Sequence, residues 1–258
     1  MSKLNGGVPT ISFRDLAIHK RENDLVGASF GRGFFVFDDI SVFRELSNSQ
    51  MNDKATLFSV KNAWWYIPRP YLGFNDPWNG LKGSQGDSYF VAPNPPFGAV
   101  FTYHLSEGLV TKKEVRTKKE KSTLKKGKPV GFPGWKIVES ERRELDSKVL
   151  IEVKDSNGEV VRRLEGPTSK GFHRIAWDLR YPSPNSILGE NSSANGSGFL
   201  APPGKYNVTM FVKLDGKIEK VSDSKSFDVV PLRKGALVTE SHDKIADFWR
   251  EYEKTADR

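Results

Sequence analysis

Between residues 11 and 37 the apolar positions fall into three short sets separated by polar turns. Ile11, Phe13, Leu16 and Ile18 form the first, imperfectly alternating. Residues 20–24 are polar, residues 25–30 form a second set, and Gly31-Arg32-Gly33 interrupts before Phe34-Phe35-Val36-Phe37. Short alternating runs between polar and glycine-rich breaks predict a three-stranded meander that ends at Asp38-Asp39. Such a ribbon alone leaves two edges and an apolar face open, so it requires neighbours. Residues 41–46 suit one helical turn, 48–53 a polar connection, and 56–67 a further strand closing on Trp64-Trp65-Tyr66. Residues 68–96 mix Gly, Pro and Asn with aromatic side chains, the composition of an ordered, irregular loop held only where its rings meet another surface.

From residue 97 the pattern becomes that of an immunoglobulin-like β-sandwich running to residue 232. Residues 98–105 read as one strand, and residues 148–154 place Val149, Ile151 and Val153 on one face. Asn157-Gly158 is a hairpin signal that returns the chain through residues 159–164. Residues 172–179 carry Ile175, Trp177 and Leu179 on one side, and a polar Ser/Asn/Gly loop covers 182–198. Tyr206, Val208, Met210 and Val212 alternate cleanly, Asp215-Gly216 turns the chain into 217–221, and 226–230 closes the set. About seven short strands with turn signals between them are the mark of such a sandwich. The period then changes: Ile245, Phe248, Trp249 and Tyr252 lie at i, i+3, i+4 and i+7, an amphipathic helix opened by Thr239 or Ser241.

The chain divides accordingly into a partial blade (1–46), an aromatic connecting segment (47–96), the sandwich with a basic insertion at 108–146, and a terminal helix within 233–258. Its 258 residues are 37% hydrophobic and 12% aromatic, enough for a sizeable core, which excludes wholesale disorder. No apolar run has the length of a spanning helix, and residues 1–7 hold no apolar stretch of signal-peptide length. The absence of cysteine excludes disulfides, thiolate catalysis and Cys-ligated metal sites.

The net charge of +8 invites a nucleic-acid reading, but seven of those charges fall in residues 112–128, where nine basic side chains meet Glu114 and Glu120. One local run is not a basic field, and no aromatic residue between Tyr103 and Phe132 interleaves with it for base stacking. The run reads as a solvated, partly helical insertion, cut by Pro129, Pro133 and Gly134; nucleic acid is not an expected partner.

Several stretches resemble bacterial sortilin-like, BNR-repeat proteins, commonly labelled glycosyl hydrolases. Residues 13–19, Glu22-Asn23-Asp24-Leu25-Val26, residues 30–34 and Asp38-Asp39-Ile40 look like the last propeller blade of that family, and residues 92–99 are similar to its exit from the propeller. Gly166-Pro167, residues 171–181 and Ala201-Pro202-Pro203-Gly204-Lys205-Tyr206 resemble the Ig-like domain that follows, akin to one in flagellar hook-capping proteins. The resemblance implies the C-terminal portion of a larger periplasmic or extracellular protein, with an upstream propeller as partner. The Ser-x-Asp-x-Gly-x-x-Trp box is missing, and neither an arginine triad nor a tyrosine nucleophile can be assigned.

Glycoside hydrolysis needs two carboxylates facing each other across a cleft. Asp38 and Asp39 are adjacent, so a strand would point them apart; capping the blade through backbone amides suits them better. Asp76 and Asp87, near Trp78 and Tyr89, are the better carbohydrate contacts, because aromatic faces stack on sugar rings; the alternative is a loop glued down by those rings. His19, His104, His173 and His242 show no ligand-pair spacing. Ser29 and Ser88 lack a nucleophile elbow, and Gly31-Arg32-Gly33 is too short for a phosphate loop. Asn191, Asn195 and Asn207 fit the glycosylation sequon. No catalytic, cofactor or metal residue is assigned. The expected role is a non-catalytic scaffold or a module that binds carbohydrate or protein; the alternative is a brace for a glycosyl hydrolase whose catalytic groups lie upstream.

Overall fold

The computed structural model describes residues 10–31, 33–68, 95–182, 197–233 and 240–256. The chain forms two compact units, residues 1–47 and 48–258.

In the first unit β1 (Phe13–His19), β2 (Asp24–Ser29) and β3 (Gly33–Phe37) form an antiparallel meander, followed by the helical turn α1 (Val42–Glu45). Paired residues share a face, so Leu16, Gly27 and Phe35 line one side with Ile18, Leu25 and Phe37. Ala17, Val26, Val36, Ala28 and Phe34 line the other. An irregularity between Phe13 and Asp15 brings the Phe13 ring to 5.7 Å from Phe35. A Cβ at Gly27 would come within 2.7 Å of that ring, so glycine is what lets the ring lie across the sheet. Both faces are apolar, and Leu16 (60%) and Phe34 (77%) stand well exposed.

The second unit opens with α2 (Asn48–Asn52), β4 (Ala55–Leu57), β5 (Ala63–Trp65) and β6 (Ala99–Leu105). A helical hairpin follows, α3 (Lys112–Lys125) and α4 (Trp135–Arg143). Next come β7 (Lys148–Lys154), β8 (Val160–Gly166), β9 (Gly171–Trp177), β10 (Arg180–Pro182), β11 (Ser197–Leu200), β12 (Gly204–Leu214), β13 (Lys217–Lys220) and β14 (Lys225–Pro231). The closing element is α5 (His242–Ala256). One sheet has the order β4-β6-β9; the other runs β5-β14-β12-β7-β8, with β13 also paired to β12. Strands β10 and β11 pair separately. β8 passes into β9 through residues 167–170, so the two sheets close around one core at that corner. Phe101, Tyr103 and Leu105 from β6, Trp177 from β9, Val149, Ile151 and Val153 from β7, and Tyr206, Val208, Met210 and Val212 from β12 meet there with Phe227 and Val229. The described chain is therefore mainly β, with a C-terminal helix.

Two local expectations change. The strand read across 56–67 is two: β4 pairs with β6 and β5 pairs, in parallel, with β14, so the chain crosses between sheets in residues 58–62. The strand read to Leu179 stops at Trp177, because Leu179 takes φ +55° while Trp177 Nε1 donates to the Arg180 carbonyl at 2.9 Å. Leu179 still enters the core.

The hairpin turns follow from their residues. Asp155 Oδ1 accepts the amides of Asn157 and Glu159, both at 2.9 Å, with Gly158 at φ +85°. Asp215 and Gly216 both take positive φ, the requirement of the tight turn between β12 and β13. Helix α3 starts at a capping box: Glu114 N donates to Thr111 Oγ1, and Thr111 N to Glu114 Oε2. It ends in a Schellman motif, with Gly127 at φ +70° and the Gly127 and Lys128 amides donating to the Leu124 and Thr123 carbonyls. No residue of α3 is buried, so these caps and its ion pairs are what define it. Arg116 holds α4 against it by a two-pronged bond to Glu141, at 2.6 and 2.8 Å, and reaches Glu120 at 2.6 Å. Those bonds keep the Glu141 carboxyl below the usual carboxylate range.

Candidate functional site

A polar cavity lies where α5 meets the turns around Asp155 and Pro203. Its volume is about 250 Å³, and its walls include Asp155, Asn157, Pro203, Tyr206, Asp243, Asp247 and Arg250. Residues at i, i+4 and i+8 of α5 make the contact. His242 meets the Trp65 ring edge-on at 4.6 Å, Ala246 is 3% exposed, and Arg250 reaches inward. Arg250 Nη2 donates to the Tyr181 hydroxyl at 2.8 Å, its guanidinium lies 5.6 Å from that ring's centre, and Asp155 Oδ2 stands 3.8 Å away. Tyr181 stacks on Phe199 at 4.3 Å, and Phe199 lies nearly parallel to Trp249 at 6.5 Å.

The helix at 242–256 is present, with Lys244 N donating to Ser241 Oγ at 3.3 Å. Its apolar stripe is largely uncovered: Ile245, Phe248 (61%), Trp249 and Tyr252 are all exposed, although Trp249 also lies over the Phe199 ring. Besides Trp249, the contact is made by His242, Ala246 and Arg250 beside the stripe.

Chemically this cavity is a lock. Asp155 is spent on two turn amides and on Arg250. Burial raises both the Tyr181 and the Tyr206 phenol, for Tyr181 outweighing the Arg250 bond, so neither is a phenolate nucleophile at neutral pH. Tyr206 instead donates to the Pro202 carbonyl at 2.6 Å.

A second cluster lies on β6, β9 and the turn that leads into β9. Ser169 Oγ is 3.4 Å from His173 Nε2, a spacing that suggests a nucleophile and its base. The same nitrogen sits 2.6 Å from the Ser169 carbonyl, which it can meet only as a donor, so it is not free to take a proton from the hydroxyl. His104, opposite Phe172 in the ladder, is 3% exposed, and its Nδ1 has no hydrogen-bond partner among the described residues. Burial, then Lys170 and His173, lower its pKa, which keeps the ring neutral.

Of the residues singled out by sequence, Asp76, Trp78, Asp87 and Tyr89 lie outside the described residues, as do Arg32, Ser88, Asn191 and Asn195. Asp39 accepts the Ser41 amide at 3.2 Å, a capping bond, and takes φ +45°. Asn207 sits in β12 and accepts from Ser226 Oγ at 2.8 Å. Among the described residues no three His, Asp or Glu side chains converge as metal ligands, and no helix is long and apolar enough to cross a membrane. The Arg250 lock escaped sequence reading because Tyr181 is 69 residues away. The α3 cap, Thr111-x-x-Glu114 ahead of a Gly127 stop, was there to be read.

No family model matches this chain, and no curated protein matches it.

Proposed function

We propose that this chain is a non-catalytic scaffold or binding module, the C-terminal portion of a larger secreted or periplasmic sortilin-like propeller protein. In this reading residues 1–46 are a partial propeller blade, and residues 97–232 an immunoglobulin-like sandwich followed by α5. The observation that carries it is the meander with two apolar faces: a sheet is built that way when both sides are covered by other layers, as blades cover one another in a propeller. The best-buried charged groups of the second unit support the same reading, because they are committed to each other. Arg116 holds Glu120 and Glu141, Arg250 holds Tyr181 and Asp155, and Glu152 holds Lys154 and Arg163.

The test is complementation in trans. The reading frame upstream of this chain is expressed separately and mixed with it. A complex in which the amides of residues 13–37 gain hydrogen-exchange protection supports the proposal; the absence of a blade-encoding frame, or of any gain, overturns it. The chain alone is expected to turn over no glycoside or ester, and a turnover lost on Asp76→Ala would make it an enzyme.

A further inference from the structure

The α3–α4 hairpin presents a feature that neither the sandwich nor the meander uses. Its base is held at two points: Lys112 N donates to Glu144 Oε2 at 2.7 Å, joining the start of α3 to the end of α4, and Lys112 Nζ bonds Asp215, in the turn between β12 and β13, at 3.2 Å. The Arg116–Glu141 bond fixes the two helices side by side and antiparallel. Fourteen residues of α3 carry its far end about 21 Å from that base. There the Schellman turn at Gly127 and a second positive φ at Gly134 fold residues 126–134 into a tip.

Two aromatic rings occupy the tip. Phe132 is 64% exposed and Trp135 78%, and they meet edge to face at 5.1 Å, with Pro133 between them and exposed Val130 nearby. The flank of the hairpin leading to them carries Lys118, Lys119, Lys121, Lys125, Lys126 and Lys128, all exposed and without a carboxylate partner among the described residues. The one arginine of α3, Arg116, is already committed to Glu120 and Glu141.

We propose that this tip is a peripheral docking surface for an anionic lipid bilayer, with Phe132 and Trp135 entering the interface and the lysine flank facing the headgroups. Charge complementarity selects a negative partner. Lysine, a strongly hydrated point charge, suits a diffuse anionic field, whereas arginine forks suit individual phosphates. The apolar cluster selects between negative partners. A soluble polyanion gives Val130, Phe132 and Pro133 nothing to bury against, while the bilayer interface accepts aliphatic groups and favours indole rings at headgroup depth. The edge-to-face contact also makes the two rings one wedge, not two open platforms for stacked bases.

The experiment uses the whole chain and two kinds of vesicle, phosphatidylcholine alone and an equal mixture with phosphatidylglycerol. The expected result is sedimentation with the mixed vesicles only, weakened by salt, with a blue shift in tryptophan emission that Trp135→Phe removes. Changing Lys125, Lys126 and Lys128 together to Gln is expected to weaken binding about a hundredfold. Phe132→Ala with Trp135→Ala is expected to weaken it at least about tenfold with an unchanged melting temperature. Four results would overturn the proposal: no binding to mixed vesicles, equal binding to both kinds, full binding by the double alanine variant, or tighter retention on heparin or single-stranded DNA that ignores the two rings. Self-association of the free chain that the double alanine variant abolishes would also overturn it, by showing that a second copy covers the tip.

Discussion

Tyr103 lays its hydroxyl over Gly166. The phenol, fully buried, donates to the Pro167 carbonyl at 2.6 Å, and a Cβ on residue 166 would overlap its oxygen. The bond fastens the corner where β8 leaves one sheet for β9 in the other. Gly166→Ala is expected to destabilise the second unit by about 2–3 kcal/mol, from displacing a packed ring and breaking its hydrogen bond. Tyr103→Phe should cost about 1–2 kcal/mol. In urea denaturation the double variant should lose less than the sum, because both changes act on one contact; strict additivity would show that the two residues are not coupled.

Acid should weaken the protein before its carboxylates titrate. His104 is held neutral in the native state by burial, then by Lys170 and His173, while in the unfolded chain it takes a proton near pH 6.5. Protons then favour the unfolded state, so this contribution is complete above that pH and falls away below it, at up to about 1.4 kcal/mol per pH unit. Melting temperatures between pH 7.5 and 5.5 check it. His104→Leu should flatten the acid limb whatever it does to absolute stability, and an unchanged slope would refute the assignment.

The docking face of α5 can be read by substitution. Arg250→Ala is expected to speed hydrogen exchange across 242–256 by about tenfold or more, since a bond to a charged donor is worth about 1.5–3 kcal/mol. Ala246→Leu should loosen the helix by about 1–3 kcal/mol through overpacking. Phe248→Ser, on the exposed stripe, should stay within about 0.5 kcal/mol of the parent. The reverse order would mean that the stripe is what binds.

Helix α3 stands on its caps. Thr111→Ala is expected to cost about 1 kcal/mol, and Gly127→Ala about 1–2 kcal/mol for the left-handed backbone it imposes. Both should appear as faster amide exchange in residues 112–125 with little change in the melting of the sheets, because α3 buries no side chain in the core.

The strands of the second unit are legible to within a residue or two wherever one face is core and the other is not. Tyr206, Val208, Met210 and Val212 are the clearest case, and Asn157-Gly158 and Asp215-Gly216 mark their turns unaided. Periodicity also locates α5 and its apolar stripe, but not the residues beside the stripe, His242, Ala246 and Arg250, that meet the sheets. An apolar stripe implies burial only when a complementary surface exists. Here the surface offered by Tyr181, Phe199 and Asp155 suits an alanine and an arginine better than Phe248 or Tyr252. The segment 56–67 looked continuous because each half satisfies strand preferences; its break reflects two different partners, Tyr103 for Leu57 and Val229 for Ala63. The candidate carbohydrate contacts at 76–89 lie outside the described residues.

Alternation, turn residues and caps act over a few neighbouring residues, so strands, hairpins and helix limits could be read from the amino acids in order. Which sheet a strand joins, which side of α5 is covered, and whether Arg250 has a phenol to hold depend on groups tens of residues apart meeting at the right volume and charge. Those choices are made by packing and by the pairing of buried polar groups, and no local pattern encodes them. The aromatic pair at the hairpin tip belongs to the same category: Phe132 and Trp135 read as ordinary apolar residues until α3, capped at both ends and pinned by Arg116, carries them away from the core that would otherwise have buried them.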